Sequence, residues 1–337
     1  MDRAVHHMAG QRLMLGFDGT VFNSDLEDII CRIQAGGIVL FRRNITSPAQ
    51  VAQLCGQIRD FAASCGQPPL FIAVDQEGGV VSRLPEPFSQ FDGNPHIRSR
   101  EAAENFARIT AGELRNVGIN MNLAPVMDVV SQKTASIMQN RAFPGDAKMV
   151  ADLGTTVIRT LQAGGIMSVA KHFPGIGSTV LDSHHHLPVM DADLATLEAC
   201  DLVPFEAAVR ADVAGIMLSH ILCPRLDPHW QASLSVAIAR DLLRNVLGFQ
   251  GLVLTDDLDM KAIDHDMAAC MARVLASDID LALICHKGPN IQKAFDALVR
   301  LLETDARLRE MAAASVERIY RYKEKYLAWG RTVAGPA

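Results

Sequence analysis

The sequence contains no run of about 18 apolar residues, the length at which a helix can cross a bilayer, so no membrane span is expected. Its first residues, MDRAVHHMAGQRLMLGF, lack an apolar stretch followed by a small-residue cleavage site. No secretory signal is therefore expected, and the cytoplasm is the expected location. There is no excess of basic charge: 32 Lys and Arg stand against 38 Asp and Glu, a net charge of −6. That balance offers no electrostatic footprint for nucleic acid. The densest basic group, Arg318-Ile-Tyr-Arg-Tyr-Lys-Glu-Lys, includes an acid and reads as a solvated helix face. No two of the seven cysteines (Cys31, Cys55, Cys65, Cys200, Cys223, Cys270 and Cys285) stand in a CxxC or other metal-ligand spacing. No zinc site is expected from them, and reduced, mostly buried thiols are. No low-complexity linker divides the chain. What is present is 49% hydrophobic and 21% charged residues, enough for a large core and too apolar for disorder. The 337 residues accommodate two ordinary domains or one α/β barrel of roughly 250 residues with insertions.

Eight short apolar runs punctuate the chain, at residues 12–17, 37–41, 70–75, 120–125, 166–171, 215–220, 251–256 and 280–284. Most are Val, Ile, Leu and Met without clean alternation, the pattern of strands buried on both faces. Amphipathic stretches lie between them, at 48–63, 101–116, 148–163, 192–210, 233–247 and 290–304. Strand and helix alternating eight times predict one (β/α)8 barrel of the TIM type over residues 10–304. A terminal helix over 305–328 is expected to pack outside it, and residues 1–337 are expected to form one domain. Three helix-to-strand junctions look alike: Ala35-Gly36-Gly37, Ala163-Gly164-Gly165 and Ala214-Gly215. Glycine there is expected to supply a left-handed helix cap. Such turns recur throughout α/β folds, so they support the architecture only.

A TIM barrel builds its site at the C-terminal ends of its strands. Those ends are polar here: Asp75-Gln-Glu-Gly-Gly after the third run, Lys171-His172-Phe-Pro-Gly after the fifth, Ser219-His220 after the sixth, Thr255-Asp256-Asp257 after the seventh, Cys285-His286-Lys287 after the eighth. In Asp182-Ser183-His184 a carboxylate two residues from an imidazole can orient one ring nitrogen and leave the other for acid/base work. Alone it is a common surface turn; on a Gly-rich loop at a barrel mouth it gains weight. Asp256 at a strand tip can attack an electrophilic carbon. Asp257 and Asp259 can instead cap the next segment, and three acids in four residues also suit magnesium. Asp75 can accept from sugar hydroxyls while Arg83, Arg141 and Lys171 donate, with Glu77 forming a structural ion pair to Arg83. His184-His185-His186 holds a His-x-His pattern, but within a loop, and no metal is assigned to it.

Taken in order, Asp75-Gln-Glu-Gly-Gly, Lys171-His-Phe-Pro-Gly-x-Gly, Asp182-Ser-His184 and Thr255-Asp-Asp-Leu-x-Met260 resemble the motifs of the family 3 glycoside hydrolases, in their β-N-acetylglucosaminidase branch. The resemblance spans residues 12–290. It implies retaining hydrolysis, with Asp256 as the nucleophile and His184 as the acid/base oriented by Asp182. It implies that Asp75, Arg83, Arg141, Lys171 and His172 hold the sugar, and that closing of the 173–184 loop brings His184 in. It implies no cofactor and a muropeptide fragment, N-acetylglucosamine on an anhydro-muramoyl unit, as substrate. The chain departs from the pattern at Ile176, often His in the family, and at Val80, often Arg. A monomer without nucleic-acid or membrane partners is expected. Phosphorolysis of the same bond, metal-dependent hydrolysis and sugar binding without turnover remain as alternatives.

Overall fold

The computed structural model describes residues 2–130, 136–179 and 187–327. Eight strands form a closed parallel barrel: β1 (Leu13–Leu15), β2 (Gly37–Leu40), β3 (Phe71–Val74), β4 (Met121–Asn122), β5 (Met167–Phe173), β6 (Gly215–Leu218), β7 (Leu252–Asp257) and β8 (Leu281–Ile284). Each pairs with its neighbours in sequence, and β1 closes the ring on β8 through Leu13↔Ala282. The eight apolar runs thus all become barrel strands.

The lack of alternation in those runs has a direct cause. Met14, Val39, Phe71, Ala73, Met121, Met167, Val169, Met217, Leu252, Leu254, Leu281 and Leu283 fill the barrel interior. Their neighbours Leu13, Leu15, Ile38, Leu40, Ile72, Val74, Ala170, Ile216, Val253 and Ile284 face the surrounding helices. Both faces are buried, so both must be apolar.

The outer layer includes α1 (Arg3–Gln11), α2 (Ser24–Glu27), α3 (Pro48–Ser64), α4 (Arg100–Asn116), α5 (Ala147–Ala163), α6 (Leu194–Ala199), α7 (Leu202–Arg210), α8 (Met267–Ala276) and α9 (Pro289–Thr304). Ser47, Ser99, Asp146 and Asp266 cap α3, α4, α5 and α8 by accepting from backbone N–H groups of the first turn. The helix expected over 192–210 breaks at Cys200 into α6 and α7, and Pro204 falls in the first turn of the second piece, where a missing N–H is harmless. The stretch expected at 233–247 winds as a π-type helix over Ala237–Val246.

Three expectations need correction. Of the junction glycines, Gly165 is left-handed (φ +82°), whereas Gln34 (φ +61°) and Asp212 (φ +53°) take that conformation at the other two junctions. Gly36 is required for closeness: a Cβ there would stand 2.1 Å from the Gln11 carbonyl oxygen. The terminal helix, α10 (Ala306–Leu327), does not join the outer ring alone. Its Ile319 and Tyr322 close the barrel floor against the interior layer. Lys323 is fully buried there, donating to Gln11 Oε1 at 2.8 Å above the Phe71 ring. Finally, Cys31 and Cys65 form a disulfide rather than two thiols, because α3 returns its end to the segment that precedes β2; Cys55, Cys200, Cys223, Cys270 and Cys285 are free.

Candidate active site

At the C-terminal mouth a cavity of about 420 Å³ is lined by residues from most strand ends. Asp75, Arg83, Arg141, Lys171, His172 and Asp256 all face it, so six of the eight residues singled out in the sequence converge on one space. Asp182 and His184, with His185 and His186, lie outside the described residues.

The floor of the cavity is a charge cluster. Lys171, at the end of β5, places Nζ 2.6 Å from Asp75 Oδ1 and 2.7 Å from Glu77 Oε1. Arg141 reaches the same Glu77 with Nη2 at 2.8 Å and Nε at 3.0 Å. Glu77 therefore does not pair with Arg83, as expected, but lies beneath Lys171 and Arg141. Burial alone would raise its pKa; the two cations outweigh burial and hold it at about 2. Burial would likewise discharge Lys171, but Asp75 and Glu77 keep its pKa above the ordinary lysine value. Arg83 stands 3.9 Å from Asp75 Oδ2, and its buried Nε has no hydrogen-bond partner.

His172 is set from below. Its Nδ1 lies 2.8 Å from Asp128 Oδ2, and its Nε2 lies 3.4 Å from Arg141 Nη2. The other Asp128 oxygen accepts from Ile176 N at 2.8 Å. The segment that follows is seated tightly: a Cβ on Gly177 would fall 2.1 Å from the Val129 carbonyl oxygen. Asp201 lies beside this seat, and burial, together with the charge of Asp128, pushes its carboxyl up to about 6.

Asp256 is the penultimate residue of β7. Burial would raise its pKa, but the His220 ring, the Asp257 N–H and Lys171 work against burial, and it is held below the ordinary aspartate value. It is an anion facing a cavity lined by Arg83, Arg141 and Lys171 as well as by further acids. His220 Nε2 donates to the Asp257 carbonyl at 2.8 Å and buttresses this turn. Asp257 Oδ1 accepts from the Asp259 and Cys285 N–H groups, and Asp259 accepts from His286 N and Asn290 Nδ2. These two acids tie the end of β7 to the loop after β8, close to the capping use expected of them. One oxygen from each carboxylate and a ring nitrogen of His286 also form the one group of three metal-ligating side chains among the described residues, these atoms all within 4.8 Å of one another. Cys285 lines the cavity as a thiol, its pKa pushed well up by burial and by Asp257, Asp75, Asp256 and Asp259.

Sequence reasoning missed Asp128 and misassigned the partner of Glu77. Asp128 carried a usable signal: it ends the apolar stretch Leu123-Ala-Pro-Val-Met that leaves β4, where a strand-end acid of this fold belongs. Of the two departures from the family pattern, Ile176 lines the cavity, and Val80 projects into solvent at the tip of the Gln76–Gly78 and Val81–Ser82 hairpin.

A cavity with buried carboxylates and guanidinium groups presented together suits a polyhydroxylated ligand, and an anion at its rim suits attack on that ligand: the fold and site are those of a carbohydrate-active barrel. The family model described as "Glycosyl hydrolase family 3 N terminal domain" matches residues 7–322, and the chain belongs to that family. A β-hexosaminidase of Pseudomonas aeruginosa (strain LESB58) is 34% identical over 325 residues, covering 94% of this chain and 95% of that relative. The solved family 3 β-N-acetylglucosaminidase of Paenibacillus sp. str. FPU-7 superposes with a TM-score of 0.92 at 35% identity. The match covers 98% of this chain and 64% of that longer protein, so the chain spans slightly under two thirds of it. The β-N-acetylhexosaminidase of Beutenbergia cavernae DSM 12333 gives a TM-score of 0.88 at 27% identity, over 96% of this chain and 99% of that one.

Proposed function

We propose that the protein is a retaining β-N-acetylhexosaminidase that removes terminal β-linked N-acetylglucosamine. The observation that carries this reading is the convergence of Asp256 and the sugar-binding set Asp75, Arg83, Arg141, Lys171 and His172 on one cavity. The names of its end-to-end relatives support the same activity. Asp256 attacks the anomeric carbon and forms a covalent glycosyl-enzyme, aided by its lowered pKa, which keeps it ionised. His184, oriented by Asp182, protonates the leaving oxygen and then takes a proton from water in the second step. An imidazole replaces the second carboxylate of the common retaining pair, so the nucleophile has no like charge opposite it. The buried ions fix the ring and favour the charged transition state without reorganising.

The substrate assigned is a muropeptide fragment with N-acetylglucosamine on an anhydro-muramoyl unit, and the enzyme is assigned to the cytoplasm as a monomer. A reducing cytoplasm would open the Cys31–Cys65 disulfide, so alkylation and mass measurement on freshly quenched cells test the location: two thiols are expected there, and an intact disulfide overturns it. No helix among the described residues is long and apolar enough to cross a membrane.

The deciding experiment is initial rates on paired aryl β-glycosides, of N-acetylglucosamine and of glucose, in phosphate-free buffer with chelator. Strong preference for the N-acetyl sugar is expected; activity on glucose alone overturns the substrate. Sugar 1-phosphate as the main product once phosphate is added would replace hydrolysis by phosphorolysis. His184→Ala is expected to slow substrates with poor leaving groups far more than activated aryl glycosides, and equal losses would remove its acid role.

A further inference from the structure

Asp128 belongs to neither the nucleophile nor the sugar-binding set, yet it is fully buried at the junction of both. A buried carboxylate is costly unless its oxygens are used. Oδ2 meets His172 Nδ1 at 2.8 Å, and Oδ1 meets Ile176 N at 2.8 Å and His172 N at 3.4 Å. The second ring nitrogen of His172 faces Arg141 Nη2, which can only donate. Nε2 must therefore accept, and the ring proton sits on Nδ1, pointing at Asp128.

We propose that Asp128 is a positioning residue that fixes His172 as the Nδ1–H tautomer, presents Nε2 as the acceptor for Arg141 Nη2 at the sugar cavity, and with the same carboxylate anchors the base of the segment leaving β5. This deepens the proposed function and rests on His172 facing the sugar. One side chain thereby sets two parts of the site: the unprotonated ring edge that receives the Arg141 guanidinium at the cavity and the start of the chain that leads toward His184. The anchoring extends one residue further, because Gly177 packs directly on the carbonyl of Val129, the residue after Asp128.

Asp128→Asn separates the two duties. The amide oxygen still accepts from Ile176 N, so the segment keeps its anchor. The amide NH2 now faces His172 Nδ1 and forces the ring proton to Nε2, where it opposes the Arg141 donor. The expected result is a fall in kcat/KM on the aryl N-acetylglucosaminide of about 100-fold, the upper end of what loss of a partner that orients a histidine costs. In His172→Ala, adding Asp128→Asn is expected to change the rate by no more than about twofold, since the effect runs through the ring. Losses that multiply overturn the proposal, as does a near-wild-type Asp128→Asn enzyme. A second measurement needs neither activity nor the variant's folding. In 15N-histidine spectra of the wild-type protein, the His172 signal, identified by its loss in His172→Ala, is expected to show protonated Nδ1 and bare Nε2. A proton on Nε2 overturns the assignment. If the wild-type enzyme fails to turn over any N-acetyl sugar, the proposed function falls while the tautomer measurement still decides this one.

Discussion

Two lysines are buried at opposite ends of the same barrel, and their fates differ. Lys171, at the mouth, lies against two carboxylates and is held more basic than an ordinary lysine. Lys323, at the floor, has the neutral Gln11 amide as its hydrogen-bond partner and is pulled down by burial to about 7. Depth is the same and partners differ, so partners decide the charge. At the mouth, charge is collected and kept ionised: Glu77, Arg141, Lys171 and Asp256 all stay charged near neutrality. At the floor Lys323 has no carboxylate beside it and can lose its proton, whereas Arg318 of the same helix is held charged against the buried Asp280. The mouth is organised for a charged ligand or transition state, the floor for closure.

The sharpest way to break this contrast is Asp256→Ala. Turnover is expected to fall by about 10⁴-fold or more while the melting temperature holds or rises, since a buried charge has been removed from a functional end. Turnover and thermal unfolding of the same preparation check it; a protein that also unfolds would make the mouth structural.

Lys171→Met comes next. It leaves Asp75 and Glu77 without their shared cation, and about 3–5 kcal/mol of stability should be lost by denaturant titration, together with activity. A loss below ~1 kcal/mol would mean that Arg141 alone neutralises the pair.

Acid should reach the mouth through Glu77. Its folded pKa of about 2 lies below the ordinary 4.5, so its contribution is present above pH 4.5 and is lost as pH falls toward 2. Unfolding free energies measured across that window should slope downward in the wild type, and the slope should flatten in Glu77→Gln.

The smallest change near neutral pH is expected at the floor. The folded pKa of Lys323 is below the ordinary lysine value of 10.5, so between pH 7 and 10.5 the unfolded chain binds more protons and stability climbs with pH. Lys323→Met should remove that climb and add about 1 kcal/mol at pH 6. If it destabilises instead, the bond to Gln11 and the Phe71 contact outweigh burial.

The barrel was legible because strands buried on both faces have to be apolar throughout, and eight such runs were visible between amphipathic stretches. The mouth was legible for a related reason: polar residues directly after those runs have one place to go. Pairing across the barrel was not. Glu77 and Arg83 are near in sequence, but Glu77 finds Arg141, 64 residues on, because strand ends separated in the chain meet at the mouth. Cys31 and Cys65 meet for the same topological reason, across 34 residues with no local spacing to mark them. The amphipathic pattern of α10 declared an apolar face without saying what it covers. The face fits the barrel bottom, a surface that exists only once all eight strands have closed.

That dependence has a consequence for how the protein is made. During synthesis the eight strands leave the ribosome before residues 319–323 do, so a newly closed ring would stand for a time with water against the lower side chains of its interior, Phe71 among them. At about 5–20 residues per second, the interval between completing β8 and releasing α10 is on the order of seconds. Over that time the nascent chain is a cup without a base, and its most exposed apolar layer is the one the finished molecule hides most completely.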